Sequence, residues 1–365
     1  MATRNIVKVT DAARFRRLAV FLCLDEEGGL PDEIRGLGVE VRVHRIERMR
    51  NLVNVLQTIH WLSAFIKQEE VDLIFSSGGH NFPYCRLASF KTKRPIIRFE
   101  NALFEPFWRE NPVYALNLLL GTNAYFATGK LVTESIRSSR LWREPVFYHP
   151  HMIDLALFDA SRTDEGLRER LRIPADAFVF ATAGRLDRQK GQRVFVQAAL
   201  RMVSETRNTF FVVAGAGFWP RDKALEEELG RMVEEAGARD RIIFTGFLRD
   251  PVPVYAAADV MCHTALIPEP LGNAVLEPSA MKKPVISVKE GGPLELVRDG
   301  IDGWLIPPRD VEALVQQMKY CLDHRSELPA MGEKGYQKIL SEYHESRFSE
   351  GVNRLIESFV SGKRK

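Results

Sequence analysis

The sequence predicts an α/β chain of two doubly wound domains, each a parallel sheet with helices on both faces. Three observations carry that expectation. Short apolar runs alternate with helix-patterned stretches, the signature of repeated strand–helix units. The 365 residues exceed what one hydrophobic core normally supports. Several apolar runs also pass directly into glycine-bearing turns, at Gly78-Gly79, Gly184, Gly215, Gly246 and Gly291-Gly292.

In the first half, strands are expected near Leu18–Leu24, Val39–Val43, Val71–Phe75, Pro95–Phe99, Ala124–Ala127 and Val146–Tyr148. Leu18–Leu24 is too short and wrongly flanked for a signal-peptide core, so it reads as a buried strand. Leu52, Val55, Leu56, Ile59, Leu62 and Ile66 recur at helical steps and predict a helix over Leu52–Gln68. An earlier strand is read at Asn5–Thr10, about seven residues before the next. A parallel crossover needs roughly a dozen, so that strand must pair antiparallel or lie at an edge.

Parallel sheets bind ligands at the carboxyl ends of their strands. That places Ser76–Asn81, with His80, and the pair Glu100-Asn101 at a mouth. Glu100 ends an apolar strand, where a carboxylate is poor filler, and is a candidate catalytic group. His80 and Asn101 are acceptor-side candidates. Phe104, Phe107, Trp108 and Tyr114 form an aromatic-rich stretch suited to core packing or to a membrane edge.

In the second half, strand Phe178–Ala183 leads into Gly184-Arg185-Leu186-Asp187-Arg188-Gln189-Lys190-Gly191 and then a helix, Gln192–Glu205. Arg offers a planar fork to phosphate oxygens and Lys a point charge, so a strand–turn–helix carrying both suits a diphosphate. Further strands are read at Phe210–Ala214, Ile242–Phe247 and Asp259–Ala265. A loop with Glu269 then enters a helix at Gly272, roughly Asn273–Lys282, which carries Glu277 and is followed by strand Val285–Val288. A helix N-terminus has free N–H groups and partial positive charge, which suit phosphate. Carboxylates beside it would accept from sugar hydroxyls, so the stretch reads as a nucleotide-sugar site. Pro278 removes a donor within that helix and is expected to kink it.

Composition narrows the function. The four cysteines, Cys23, Cys85, Cys262 and Cys321, lack paired spacing, which argues against a disulfide framework or a zinc site and for a reducing, cytoplasmic setting. No apolar run reaches membrane-span length. Residues 1–150 carry a net +5 (21 Lys+Arg against 16 Asp+Glu) and the remainder a net −2. The excess is clustered, at Arg14, Arg16 and Arg17, at Lys91, Lys93 and Arg94, and at Arg137, Arg140 and Arg143. It is a solvated face or a surface for an anionic membrane or acceptor. No nucleic-acid motif accompanies it.

Taken together, EPLGNAVLE with Glu269 and Glu277, the Gly-Arg…Lys-Gly element from Gly184 to Gly191, the run Gly291–Val297 and the run Gly300–Pro308 resemble the retaining GT-B glycosyltransferases of the family-four, group 1 type. The likeness is dense from about Phe178 to Asp310 and weaker before. In the link Tyr148–Asp154, His151-Met152 replaces the usual Asn-Gly while Asp154 and Phe158 remain. Lys282 stands where a glycine is common.

The resemblance implies two Rossmann-like domains facing across a cleft: residues 1–154 on the acceptor side, residues 155–341 for the nucleotide sugar, and a helix in 342–365 crossing back, then a basic tail. It also implies that this N-terminal domain lacks the usual first βα unit with its glycine loop, which leaves acceptor transfer weak or dependent on a partner chain. By resemblance the chain moves a sugar from a UDP or GDP sugar to a glycan or lipid-linked acceptor with retention, acting in the cytoplasm or on the inner membrane face. Arg185 and Lys190 take the diphosphate, Glu269 orients the sugar, and Glu277 accepts from the ribose. Gly184 and Leu271, Gly272 and Asn273 approach sugar and phosphate, and Phe247 and Leu248 neighbour the base. No Asp-x-Asp occurs, so neither a metal nor another cofactor is expected. Alternatives are a non-catalytic scaffold or partner subunit, a nucleotide-sugar epimerase, and a sugar phosphorylase that would carry pyridoxal phosphate.

Overall fold

The computed structural model describes residues 2–23, 29–46, 51–101, 103, 116–117, 119–138 and 144–361. The aromatics Phe104, Phe107, Trp108 and Tyr114, the cations Arg140 and Arg143, and the basic tail lie outside the described residues. The chain divides into two compact units, Met1–Met152 with Glu345–Lys365, and Ile153–His344.

The first unit contains α1 (Ala2–Val9), β1 (Leu18–Cys23), α2 (Leu30–Gly36), β2 (Glu40–Arg45), α3 (Leu52–Gln68), β3 (Ile74–Ser77), α4 (Phe82–Thr92), β4 (Ile96–Glu100), β5 (Ala124–Ala127), α5 (Lys130–Arg137) and β6 (Val146–Tyr148). The second contains α6 (Leu167–Arg170), β7 (Phe178–Ala183), α7 (Gln192–Glu205), β8 (Thr209–Ala214), α8 (Pro220–Glu235), β9 (Ile242–Gly246), α9 (Val252–Ala257), β10 (Val260–His263), α10 (Asn273–Ala280), β11 (Val285–Val288), α11 (Pro293–Leu296), β12 (Trp304–Ile306), α12 (Val311–Asp323) and α13 (Leu328–Glu342). The last helix, α14 (Glu345–Val360), returns to the first unit.

The chain opens on a helix, not on the strand expected at Asn5–Thr10. The alternation Ile-Val-Lys-Val mimics a strand, but a neighbour decides otherwise. Asn5, Ile6 and Val9 lie on one helical face and are buried, where Ile6 and Val9 share a core with Phe348, Val352, Leu355 and Ile356 of α14. Asn353 finishes the helix. Its Nδ2 donates to the Val9 carbonyl (3.0 Å) and its Oδ1 accepts from the Asp11 N–H (2.9 Å), satisfying groups that a helix end leaves orphaned.

The expected single sheet of the first half is two. β1 and β2 form a parallel pair, and β3-β4-β5-β6 form a separate four-stranded parallel sheet. β1 and β2 are joined through α2, a crossover helix of only seven residues, and no strand precedes α1 among the described residues. In the larger sheet Ile97, Phe99, Ala124 and Phe126 face α1 and α14, while Tyr125 and Ala127 face Val132 and Ile136 of α5. Met152 stands where the link usually has a glycine and is buried in the α14-facing core, so the sequence departure there serves packing.

The second unit is one six-stranded parallel sheet, order β12-β11-β10-β7-β8-β9. Its central strands are buried on both faces, as alternating side chains of β7 show. Phe178 and Phe180 pack with Phe195, Phe211 and Met318, and Val179 and Ala181 pack with Val254, Leu276 and Ile339. Strand order reverses between β7 and β10, the point at which an open parallel sheet leaves a crevice at its carboxyl end.

Candidate functional site

Two loops leave the sheet at that reversal. The loop after β7 carries Gly184 to Gly191, and the loop after β10 carries Thr264 to Gly272. Gly184 has open space where a Cβ would stand, and Arg185 beside it is exposed. The Arg185 carbonyl is held by Gln192 Nε2 (2.8 Å), and its guanidinium donates to Asp187 Oδ2 (2.5 Å). Asp187 also accepts from the Gln189 N–H (2.9 Å) and so caps the short turn that presents Lys190.

Lys190 reaches across to the second loop, its Nζ donating to Glu269 Oε1 (2.6 Å). The other carboxylate oxygen of Glu269 lies 3.3 Å from His263 Nε2, just past ordinary hydrogen-bond length. His263 ends β10 and is buried, with Nδ1 2.8 Å from Ser287 Oγ of β11. A carboxylate only accepts, so the ring turns an N–H at Nε2 toward Glu269. Burial pushes the Glu269 carboxyl up, but the His263 contact and the Lys190 ammonium outweigh it and hold the group at about 2. Glu269 is therefore ionised at neutral pH.

The loop carrying Glu269 is shaped by Gly291 and Gly292. A Cβ on Gly291, whose φ is +73°, would stand 2.7 Å from the Glu269 backbone nitrogen, and one on Gly292 would meet the Leu271 carbonyl at 2.5 Å. The Gly292 N–H donates to the Glu269 carbonyl at 2.7 Å. The glycine pair is the floor on which the carboxylate loop lies.

Helix α10 follows at once. Gly272 is its N-cap with φ +83°, and the first N–H groups after it have no partner inside the helix. Pro278 is accommodated within the helix, which stops at Ala280, short of the expected Lys282. Lys282 takes a left-handed conformation (φ +58°), the one a glycine adopts most easily after a helix. Glu277 is buried and accepts from the Tyr255 hydroxyl (2.5 Å). Burial raises its carboxyl to about 7, only partly offset by Tyr255 and by the charge of Lys190.

At the far side of the sheet, Phe247 follows β9 and is 64% exposed, and Phe218 follows β8 and is 57% exposed. Their rings meet edge to face, centroids 5.7 Å apart. Leu248 instead packs against the apolar core.

The second unit thus brings together Arg185, Lys190, Glu269, Glu277 and the start of α10. The first unit treats its candidates differently. His80 and Asn101 are exposed on loops after β3 and β4. Glu100 closes β4 at its carboxyl end, but it is 4% exposed and pairs with the equally buried Arg98 at 2.7 Å. Two residues apart on one strand, the pair shares a face, and each neutralises the other. His263, Ser287, Tyr255 and Phe218 are site residues that sequence reasoning missed. A histidine closing an otherwise apolar strand was the one available signal. Among the described residues, no cluster of three or more His, Cys, Asp or Glu could hold a metal ion.

Comparison with known proteins adds the family. Residues 163–338 match the glycosyl transferases group 1 family. Over 192 residues the chain is 27% identical to the lipopolysaccharide core biosynthesis glycosyltransferase LpsE of Rhizobium meliloti, covering 52% of this chain and 53% of LpsE. It is 31% identical over 194 residues to LpsD of the same organism, covering 53% of each. The chain spans about half the length of these curated relatives.

Over nearly its whole length it resembles solved structures. It matches Anabaena HepE in complex with UDP and glucose at TM-score 0.82 and 20% identity, covering 99% of this chain and 95% of HepE. It matches a glycosyltransferase from Rickettsia africae at TM-score 0.84 and 17% identity, covering 99% and 95%. At such identities the likeness shows the fold, α/β of the GT-B type. Both Lys190 and the Glu269–Glu277 pair fall inside the stretch that matches the family.

Proposed function

We propose that this chain transfers a sugar from a nucleoside diphosphate sugar to a glycan or lipid-linked acceptor, with retention and without a metal. The observation that carries the reading is the convergence of Arg185, Lys190, Glu269 and Glu277 on the N-terminus of α10, at the reversal of strand order. Charge grows on the departing diphosphate in the transition state, and preorganised cations and helix N–H groups stabilise it. Arg185, Lys190 and the N–H groups around Leu271–Asn273 take that part. Glu269, ionised and held by His263, orients the sugar hydroxyls. Glu277 binds the ribose, and Phe247 with Phe218 offers apolar faces to the base. Glu100 and Arg98 stabilise the first unit, and His80 and Asn101 remain acceptor-side candidates.

Because HepE is described with UDP and glucose, UDP-glucose heads a thermal-shift panel of UDP and GDP sugars. A donor at about a hundred times its Kd adds roughly 2.7 kcal/mol. A shift with one donor, followed by transfer to an acceptor, supports the reading. Binding with no transfer to any acceptor would make the chain a scaffold, and isomerised free donor would make it an epimerase. Activity is expected to survive excess EDTA, since cations of the protein replace a metal's charge. Loss that magnesium or manganese restores would overturn this.

Donor affinity should depend on Glu277. Its folded-state carboxyl is raised to about 7, and it accepts a ribose hydrogen bond best when ionised. Affinity for UDP-glucose, whose diphosphate loses no proton in this range, should rise between about pH 6 and 8 and flatten in Glu277→Gln. Stability runs the other way: the folded state holds this proton more tightly than the unfolded chain does, so stability falls as pH climbs from about 4.5 to 7. A pH-independent affinity in wild type contradicts the assignment.

The positive excess of residues 1–150 further points to peripheral contact with an anionic bilayer, on the cytoplasmic face. No helix among the described residues is long and apolar enough to cross a membrane. Sedimentation with phosphatidylserine vesicles should be strong at low salt and lost at high salt. Equal, weak binding to neutral and anionic vesicles would leave the charge as a solvated face.

A further inference from the structure

Helices α3 and α4 of the first unit leave an apolar surface uncovered. Ile59 of α3 packs with Tyr84 of α4, and farther along Leu62 and Ile66 pack with Ala88, so the two helices run side by side in one direction. A surface helix ordinarily keeps its outward face polar. Here Leu52, Val53 and Leu56 of α3 and Phe90 of α4 are each more than half exposed, and Leu87 of α4 is exposed as well. The two rows adjoin, because His60 Nδ1 lies 3.4 Å from Lys91 Nζ. One turn earlier on each helix stand Leu56 and Leu87. The surface continues beyond α4. Arg86 lays its guanidinium over the Phe90 ring, 3.9 Å from the centroid. Its Nε donates to the Leu120 carbonyl (3.2 Å), next to Leu119, which is 78% exposed.

Charge indicates what covers this surface. Neither α3 (Leu52–Gln68) nor α4 (Phe82–Thr92) carries an Asp or Glu. Their cations are Lys67, Arg86 and Lys91, and Lys93 follows α4 at once. A solvated face needs no cluster of leucines, and a contiguous apolar patch on a folded unit marks an interaction site. Apolar side chains set among cations, without carboxylates, suit the boundary between the headgroups and acyl chains of an anionic bilayer. A second copy suits it less. A two-fold contact sets a patch against itself, which would bring Arg86, Lys91 and Lys93 against their own counterparts.

The surface also lies beside the mouth of the unit. Helix α4 starts directly after His80-Asn81, in the loop at the carboxyl end of β3. Helix α3 runs in the same direction and so starts at the same end, where the Asn51 side chain accepts from the Val53 N–H (3.1 Å). Leu52, Val53 and Leu56 therefore stand on the side where His80 is exposed.

We infer that α3 and α4 form a lipid-docking face. Leu52, Val53, Leu56 and Phe90 enter an anionic bilayer at the acyl boundary, Arg86, Lys91 and Lys93 meet its headgroups, and the mouth beside them opens at the membrane surface. The inference rests on the membrane contact proposed above and adds to it the face and the apolar insertion.

Vesicle binding and fluorescence quenching test it. The triple variant Leu52→Ser, Leu56→Ser, Phe90→Ser keeps every charge and alters exposed sites only, so an unchanged Tm is expected and shows that it is folded. Its partition onto phosphatidylserine vesicles at low salt should fall at least about tenfold, because three apolar side chains no longer leave water. Leu294→Ser with Ile301→Ser, at exposed sites of the second unit, should bind as wild type does. Measured against wild type, the added emission of Phe90→Trp should be quenched by bilayers brominated along the acyl chain, and that of Ile301→Trp should not. If the triple variant binds as wild type does, or the Phe90→Trp emission is not quenched, this is not the docking face, and the charge-driven contact proposed above still stands. If wild type itself ignores anionic vesicles, both fall. If wild type is a dimer that the triple variant dissociates, with vesicle binding unchanged, a second copy covers the patch and the lipid assignment is wrong.

Discussion

Replacing Arg185 and Lys190 together by alanine is expected to lower kcat/KM by roughly 150- to 5,000-fold. Each cation on an anionic oxygen contributes about 1.5–3 kcal/mol, and two on one diphosphate act together, so their effects sum to less than strict additivity. About 3–5 kcal/mol of lost transition-state stabilisation gives the stated range. Lys190 carries the larger share, because its ammonium also partners Glu269, whose side chain is 12% exposed. Without it that carboxylate keeps only His263 among the described residues, and the Glu269 loop loses its tie to the loop after β7. The unliganded protein should hardly notice. The cation ends are about 40% exposed, and ion pairs in that setting contribute roughly 0–1 kcal/mol. Arg188→Ala is the control, since Arg188 is exposed on the same turn. Kinetics of the double variant within twofold of wild type, with UDP-glucose or whichever donor binds, would remove the diphosphate role.

Gly291→Ala is expected to cost about 2–5 kcal/mol of stability. A left-handed backbone costs an alanine about 1–2 kcal/mol, and forcing its Cβ into packed atoms costs about 1–3 more. The obstacle is backbone: the Cβ would stand 2.7 Å from the nitrogen and 2.8 Å from the oxygen of Glu269, so no side chain can swing aside. For a unit of this size each kcal/mol lowers Tm by roughly 2–4 °C, giving a fall of about 5–15 °C in the transition of the second unit. Donor affinity should fall further than stability alone explains, because the displaced atoms belong to Glu269, the residue proposed to orient the sugar. Gly300→Ala separates the two effects. Gly300 has a similar φ of +71° but nothing within 4 Å of a Cβ, so it bears the backbone cost without the collision. Equal behaviour of the two variants would show that Gly291 does not support the Glu269 loop.

Much of the architecture was legible before any coordinates. β7, α7, β11 and α3 occur at the boundaries read from sequence, because each is a long helical period or an apolar run closed by glycine. The Arg185–Lys190 turn and the Glu269–Glu277 pair were legible for a related reason. Charged residues beside glycine turns at strand ends are costly unless something needs them there. The N-terminus was misread, since Ile6 to Val9 fits a strand by alternation and only α14 makes it a helix. Glu100 ends its strand as read, but strand position alone does not reveal that Arg98, two residues back on the same face, lies buried with it.

The sequence by itself determined the layered α/β plan, the group 1 signature and the residue types at the donor site, since these depend on period, spacing and local backbone needs. Tertiary structure alone decided three things. It placed His263 and Ser287 under Glu269, it set Gly291-Gly292 as the floor of that loop, and it brought Phe218 after β8 against Phe247 after β9. Each of these joins residues from different strands or loops, and no pattern along one segment encodes which edge or loop will lie beside another. Those pairings are fixed by burial of side chains across the sheet, a property of the assembled unit.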